Sequence, residues 1–397
     1  MPHRMYKYRL YPSKSQTKIL EEQLELCRIT HNYLLNHCKQ QQNGNIPTQF
    51  DLNKLLKTQK RAKPELSTVY SQVLQNIAKR IKDAYTNFYA RRRAGLKAGL
   101  PRFKKPGQYR SITYPQFGFK IEGNKLRLSK IGNIRIRQHR EIRGQVKTLT
   151  VKRMPSGKWY ACFSCLVEMR PVEKPFKDVG VDVGLYSYAM LSDGSLIENP
   201  RYFRKEEKKL ARLQRQHSRK RKGSQNREKC RVKVAKLHEK IENRRNDFLH
   251  KASRQIADTY ETVYVEDLRI SNMVFNHCLA KSISDASWGR FAGMIAYKAE
   301  GAGGRLIKVN PRNTSQLCSQ CDEMVKKTLS TRLHECPACG LVMDRDRNGA
   351  LNVLKRGREI GREPPELTPE GEFATTQPLE VVQANLMNQE ASLLVGR

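Results

Sequence analysis

Hydrophobic positions along this chain change period several times, and each change marks a new kind of element. Between Met5 and Tyr11, the residues Tyr6, Tyr8 and Leu10 alternate with Lys7 and Arg9, a period of two that gives a strand one buried and one basic face. Pro12 stops it. Ser13 with Gln16 three residues on is a capping-box signature, and Leu20, Leu24, Cys27, His31, Leu34 and Cys38 then recur at helical spacing. A second helix is predicted from about Ser67. It buries Tyr70, Val73, Leu74, Ile77, Ile81, Ala84, Tyr85 and Phe88 and ends in Arg91, Arg92 and Arg93, ahead of Gly95 and Gly99.

From Phe117 to Glu168 the period returns to two. Leu126, Leu128, Ile134 and Ile136 alternate with Lys125, Arg127, Arg135 and Arg137, while Gly123-Asn124 and Pro155-Ser156-Gly157 supply hairpin turns. These runs predict an antiparallel β-barrel with a basic outer face. The isolated strand at 5–11 needs partners, so a helical unit over 12–100 reads as inserted into a barrel made of 1–11 and 101–175.

Beyond this point short strands and long helices alternate. Strands are expected around 179–185, 188–191, 195–198, 262–267 and 305–309, and helices over 204–218, 227–259, 286–301 and from Asp346 to Lys355. This is an α/β module over 176–313 and 343–358, interrupted by a cysteine-rich insert at 314–342, so the chain as a whole is multidomain α+β. The basic run Arg219, Lys220, Arg221 and Lys222 links the first two long helices. A solvated helical hairpin and an RNA contact both fit it. Residues 359–397, with Pro364, Pro365, Pro369 and Pro378, are expected to form a disordered acidic tail.

Charge narrows the partner. The chain has 397 residues with 76 Lys and Arg against 38 acids, a net charge of +38. Residues 361–397 contain six Glu and two Arg, so the excess lies before them. An imbalance this large repels itself unless a polyanion neutralises it, which points to nucleic acid. A ribosomal or membrane-surface protein could share the composition. No stretch approaches the roughly 20 apolar residues that span a bilayer, and the start lacks the apolar core of a signal peptide. A cytoplasmic protein, nucleoid-associated in a prokaryote, is expected. Ten cysteines in such a chain suit free thiols and metal ligation better than a disulfide framework.

Two constellations carry chemistry. Asp182 lies mid-strand between Val181 and Val183, Glu266 ends a Val-Tyr-Val-Glu strand, and Asp346 opens a helix beside Asn348. Taken singly, each has a plainer reading as a turn acid, a surface charge or a helix cap. Together, a three-strand meander followed by helix, strand, helix, strand and helix, with the acids on the first strand, the fourth strand and the last helix, is the layout of the RNase H-like nuclease fold, where three carboxylates can hold two divalent ions, Mg²⁺ here, about 3.5–4 Å apart. The second constellation is Cys318-x-x-Cys321 and Cys336-x-x-Cys339, separated by 14 residues and suited to tetrahedral Zn²⁺. His334 is a competing ligand. Cys162-x-x-Cys165 lies in a strand, where positions three apart face opposite sides and cannot share a metal. Gly301, Gly303 and Gly304 lack a following Lys-Ser or Lys-Thr, so no phosphate-binding loop is read there.

These residues carry a resemblance. Gly-Val-Asp182-Val-Gly, Val-Glu266-Asp-Leu, Ser284-Asp285-Ala286-Ser287-Trp288, Thr314-Ser315-Gln316-x-Cys318-x-x-Cys321 and Asp344-Arg345-Asp346-x-Asn348-Gly349-Ala350-x-Asn352 together resemble the TnpB family, transposon-encoded relatives of type V CRISPR nucleases. Tyr8-Arg9-Leu10-Tyr11-Pro12 adds to it, and the similarity spans about residues 5–356. The resemblance implies an RNA-guided DNA endonuclease with a guide RNA from the transposon end and a double-stranded DNA target. It also implies a barrel (wedge) domain, a helical recognition domain, and a RuvC-type nuclease domain carrying an inserted zinc ribbon. Its pattern assigns catalysis to Asp346 rather than Asp344, which is left as a capping group. Gly349 stands where Ala is usual and Asp322 where Gly is common, and neither departure is expected to touch a metal-binding acid.

Candidate readers of a DNA motif flanking the target are Gln72, Gln75, Lys79, Tyr109, Arg110 and Thr113, where polar and aromatic side chains interleave with cations. Rival readings are an RNA-guided repressor that binds without cutting, a transposase or transposition accessory protein, and a structural RNA-binding protein. All three acids are present, which favours cleavage over the first.

Overall fold

A computed structural model describes residues 3–41, 47–168, 173–174, 176–328 and 331–362. The expected acidic tail lies almost wholly outside these residues. Strand β1 (His3–Tyr11) is followed by α1 (Lys14–Gln40), α2 (Gln49–Ala62), a 3-10 turn over Pro64–Thr68 and α3 (Ser71–Arg93). Strands β2 (Ser111–Tyr114), β3 (Phe119–Glu122), β4 (Lys125–Leu128), β5 (Gly132–Arg137), β6 (Gln145–Arg153) and β7 (Trp159–Leu166) come next. With β1 they form one antiparallel sheet, in the order β2-β6-β7-β1-β5-β4-β3. The edges β2 and β3 approach where the Tyr114 and Phe119 rings meet edge-on at 6.4 Å, which leaves the barrel nearly closed.

The first strand sits in the middle of the sheet, between β7 and β5. The three helices therefore lie, in chain order, between a central strand and the rest of its sheet. They also share its core. Leu20, Leu34, Val73 and Ile77 belong to one buried cluster with Tyr8, Leu10, Ile134 and Phe163, and Tyr70 stacks on Tyr114 at 5.9 Å. The Ser13 cap forms as expected: Gln16 N donates to its hydroxyl at 3.2 Å, and Gln16 Oε1 accepts from Ser13 N at 3.0 Å.

Two details of the helical unit differ from the reading of the sequence. Helix α2 was not anticipated, because it buries only Leu52, Leu56 and Gln59 on an otherwise charged surface. Its signal was the Thr48–Asp51 capping box. Helix α3 starts at Ser71 rather than near Ser67, because the 3-10 turn occupies the preceding residues.

The remainder builds a second sheet from β8 (Phe176–Val183), β9 (Ser187–Leu191), β10 (Leu196–Glu198), β11 (Tyr260–Glu266) and β12 (Arg305–Val309), in the order β10-β9-β8-β11-β12. The first three strands are an antiparallel meander, and β11 and β12 add in parallel to β8. Between them run α4 (Tyr202–Ser218), α5 (Gln225–Thr259), the short α6 (Ile270–Met273) and α7 (Ala280–Ala286), and α8 (Trp288–Gly301). The hairpin β13 (Leu333–Glu335) and β14 (Val342–Asp344) leads into α9 (Arg345–Arg362).

Alternation sorts the two faces of this sheet. Val179, Val181, Val263 and Val265 pack with Leu249, Ile256, Phe291 and Ile295 of α5 and α8. Gly180 and Tyr264, one step out of phase, meet α9 instead. A Cβ on Gly180 would collide with the Ala350 carbonyl, and one on Gly357 would enter the Tyr264 ring. Glycine at these two places lets the helix lie directly on the strands. The barrel docks on α5 through Tyr160, whose hydroxyl donates to Glu239 Oε1 at 2.8 Å, and through Lys158, 3.3 Å from Glu239 Oε2.

Candidate active site and thiolate cluster

The parallel pairing of β8 and β11 places two of the acids. Val181 stands opposite Val265, so Asp182 and Glu266 leave the strands at the same level and on the face that α9 covers. The third, Asp346, is in the first turn of α9. Asp344 caps this helix: its Oδ1 accepts from the backbone N of Asp346 at 2.9 Å and of Arg347 at 3.0 Å. Asp346 is held by Ser187 Oγ at 3.1 Å and by Arg345 Nη2 at 3.1 Å.

Asp182 is different. Among the described residues, no hydrogen bond or ion pair reaches its carboxylate. Burial, then the fields of Glu266 and Asp346, push its carboxyl well above the usual range, against the weaker opposing pull of Arg345. Burial also raises Glu266, against the opposing pull of the Thr314 hydroxyl and Arg356. The three acids are thus close enough to feel one another, around a buried carboxylate that no described hydrogen bond or ion pair reaches. A set of oxygen donors with excess negative charge suits hard divalent cations.

One expectation is corrected here. Gly349 does touch an acid: a Cβ added to it would stand 2.8 Å from Asp182 Oδ2. Its absence from the helix is more than a small loss of helix propensity.

The four cysteines of the insert converge. Their sulfurs all lie within 4.8 Å of one another, with Cys318–Cys339 at 3.6 Å and Cys321–Cys336 at 3.5 Å. A tetrahedral zinc with bonds near 2.3 Å sets sulfur separations of about 3.8 Å, so the donor set fits. Each CxxC closes a tight turn, Asp322 N donating to the Cys318 carbonyl at 3.0 Å and Gly340 N to that of Cys336 at 2.9 Å. Asp322 and Gly340 have φ of 63° and 72°. That left-handed backbone explains why glycine suits position 322. The Asp there pairs with Lys355 of α9 at 2.5 Å. His334 stays out of the cluster, with its Nδ1 bonded to Lys327. Cys162 is half-buried and Cys165 fully buried in β7, both free.

The candidate nucleic-acid residues do not form one patch. Gln75 and Lys79 are exposed on α3, and Gln72 is partly buried with its Oε1 unpartnered. Tyr109 packs against the barrel core beside His31, its hydroxyl 3.5 Å from Arg80 Nη1. Arg110 is exposed, and the Thr113 hydroxyl bonds Thr150 at 3.0 Å. Arg219, Lys220, Arg221 and Lys222 are all exposed at the α4–α5 turn. Arg227 Nη1 pins that turn by donating to the carbonyls of His217 at 3.2 Å and Lys220 at 2.7 Å.

Sequence reasoning missed the residues that hold the acids. Ser187 has no local signature. Thr314 and Asn352 lie inside quoted motifs, but their partners are distant in the chain.

Fold and sites define a basic protein in which an acidic cluster at the strand ends of a mixed sheet sits beside a four-thiol knuckle. Two relatives 34% identical over most of both chains show that the chain belongs to the TnpB family. Family models described as "Probable transposase", "Cas12f1-like, TNB domain" and "Helix-turn-helix domain" match residues 162–276, 288–353 and 1–45. Within the last of these, the described residues form one strand and one continuous helix. Two similar relatives carry the name "Putative RNA-guided DNA endonuclease". One, from Streptomyces pristinaespiralis, is 34% identical over 366 residues and 89% of each chain. The other, InsQ of Escherichia coli K12, is 34% identical over 405 residues, 96% of this chain and 98% of its own. A solved Cas12f1-sgRNA-target DNA complex aligns over 90% of this chain and 100% of its own at 17% identity, with a TM-score of 0.36, too low to define a shared fold. Among the described residues, no helix is long and apolar enough to cross a membrane.

Proposed function

We propose that this chain is an RNA-guided DNA endonuclease that cuts target DNA beside a short flanking motif. The observation that carries the reading is the buried Asp182 carboxylate, reached by no described hydrogen bond, beside Glu266 and Asp346 on one face of a 3-2-1-4-5 mixed sheet, the strand order of RNase H-like (RuvC-type) nucleases. The names of the two 34% identical relatives support it.

In this reading Asp182, Glu266 and Asp346 would hold two Mg²⁺, which would supply an activated water and charge stabilisation for the leaving oxygen of a phosphodiester. The chain's own contribution is placement. The strands place Asp182 and the backbone of Glu266 at one level, and Ser187 with the α9 cap holds Asp346, so the donors are partly preorganised for binding. Cys318, Cys321, Cys336 and Cys339 hold a structural Zn²⁺. The domains follow: barrel at 1–11 and 101–175, helical recognition unit at 12–100, nuclease at 176–313 and 343–358, zinc ribbon at 314–342.

A guide RNA from the transposon end supplies sequence recognition by base pairing, while the protein reads backbone and shape. The barrel's outer face suits the RNA. Lys7, Lys120, Lys125, Arg127, Arg135 and Arg137 are exposed there, and Tyr11, with Arg9 over its ring at 5.2 Å, offers a surface for stacking. The test is to sequence RNA that copurifies with the protein, programme it against a plasmid and assay cleavage in Mg²⁺. Asp182→Ala is expected to keep RNA and DNA binding and lose cutting; continued cleavage by that variant refutes the site.

A further inference from the structure

The acidic cluster and the thiol knuckle are physically joined. Thr314, four residues before Cys318, is 2% exposed. Its hydroxyl lies 2.5 Å from Glu266 Oε1 and 3.1 Å from the Pro311 carbonyl. The hydroxyl thus reaches a carboxylate 48 residues away in the chain as well as the carbonyl of its own turn.

The knuckle backbone behind Thr314 is gripped from the other side. Asn348 Oδ1 accepts from Ser319 N at 2.9 Å, and its Nδ2 donates to the Leu317 carbonyl at 2.7 Å. Asn352 Nδ2 donates to the carbonyls of Thr314 and Leu317, both at 2.8 Å. Both amides are buried, so breaking these bonds would strand polar groups away from water. Asn348 and Asn352 belong to the helix whose first turn carries Asp346. Segment 314–319 is therefore clamped between Glu266 and the Asp346 helix, and it runs directly into the first pair of zinc thiols. A ribbon acting as an independent module would need only its covalent links.

We infer that Thr314 is a positioning residue for Glu266, and that the zinc knuckle, clamped by Asn348 and Asn352, holds Thr314 in place, making the ribbon an integral part of the nuclease centre. The inference rests on the proposed role of Glu266 as a Mg²⁺ ligand. Glutamate at a strand end has several free side-chain torsions, and a fixed outer donor selects the one that points into the site.

Three variants of the full chain with its copurified RNA test this. Each is assayed for the Mg²⁺ concentration giving half-maximal plasmid cleavage, for zinc content by elemental analysis and, without target, for the Mg²⁺-dependent rise in melting temperature. Thr314→Val is expected to raise the Mg²⁺ requirement about tenfold, the scale of outer-shell losses, while keeping one zinc per chain. Thr314→Ser keeps the hydroxyl and is expected to stay within about twofold of wild type. Asn352→Leu is expected to raise the Mg²⁺ requirement and to surrender zinc faster to a chelator. An unchanged Mg²⁺ requirement in Thr314→Val, or equal damage in Thr314→Ser, overturns the inference. If wild type cuts nothing, the functional reading fails instead, and the melting series still reads the link between Thr314 and Mg²⁺.

Discussion

Gly349 lies against Asp182 so closely that a methyl group on it would stand 2.8 Å from Oδ2 and 3.3 Å from Cγ of the acid. Its place in α9 lets a helix backbone and a strand carboxylate share one small volume. Gly349→Ala should gain up to about 1 kcal/mol of helix propensity. It should also displace the carboxylate, whose Oδ2 must shift to relieve the contact. Stability and activity are then expected to part: an unchanged or higher melting temperature, with cleavage slowed about tenfold or more, since small misplacements at reacting centres are costly. Thermal unfolding and single-turnover cleavage measured on one preparation decide it. Wild-type rates in the variant would show that Asp182 can rotate freely.

Asp182 carries a stability cost of its own. Its folded carboxyl is raised by burial and by Glu266 and Asp346, so the folded state holds its proton more tightly than the unfolded chain does. Stability therefore falls as pH rises from the unfolded value near 4 towards the raised folded value, and the cost is fully present above it. Asp182→Asn should remove that cost. In chelator at neutral pH the variant is expected to melt higher, by about 2–4 °C per kcal/mol relieved. The gain should shrink in acid, and cleavage should be lost. A melting temperature below wild type under those conditions would contradict the picture of an uncompensated charge.

Glu239 shows the opposite sign. Burial alone would raise its carboxyl, but the Ser156 hydroxyl, the Tyr160 phenol and Lys158 outweigh it and hold the group below its usual range. A depressed carboxylate contributes stability that is fully present above its unfolded value near 4.3 and is lost as pH falls through the folded value. Glu239→Gln should weaken the contact between the barrel and α5. The melting temperature of wild type is expected to drop more steeply than that of Glu239→Gln as pH falls below about 4.5. Parallel curves would remove Glu239 from that junction.

Arg127 tests the barrel's basic face. It is exposed on β4 opposite Lys120 and Asn133, and no described acid pairs with it. Arg127→Ala should weaken RNA binding with no loss of fold, and should lower the slope of log affinity against log salt by about one. An unchanged slope, measured by filter binding from low to physiological salt, would place the RNA elsewhere.

How far the sequence was legible follows from how local each signal is. The barrel strands announced themselves because Leu126, Leu128, Ile134 and Ile136 alternate with cations and the Gly123-Asn124 turn separates β3 from β4. The cap at Ser13, the cap at Asp344 and the CxxC knuckles are equally local, since their partners lie within a few residues. Helix α2 escaped because three buried positions are too few to show a period. The placement of Tyr109 escaped as well: an aromatic among cations looks like a reader of nucleic acid until its ring is seen against His31 and the core.

The sequence by itself determined the strongly periodic elements, the acids and thiols available for metals, and a charge that calls for a polyanion, because periodicity, spacing and net charge are properties of the chain read in order. The tertiary structure alone decided which groups meet. Asp182 and Glu266 come together through parallel strand pairing across some eighty residues, Gly349 is seated on Asp182 by the close approach of α9, and Thr314 bonds Glu266 because Asn348 and Asn352 grip the knuckle. Those contacts depend on how side chains fill space between distant segments, and no local pattern encodes that.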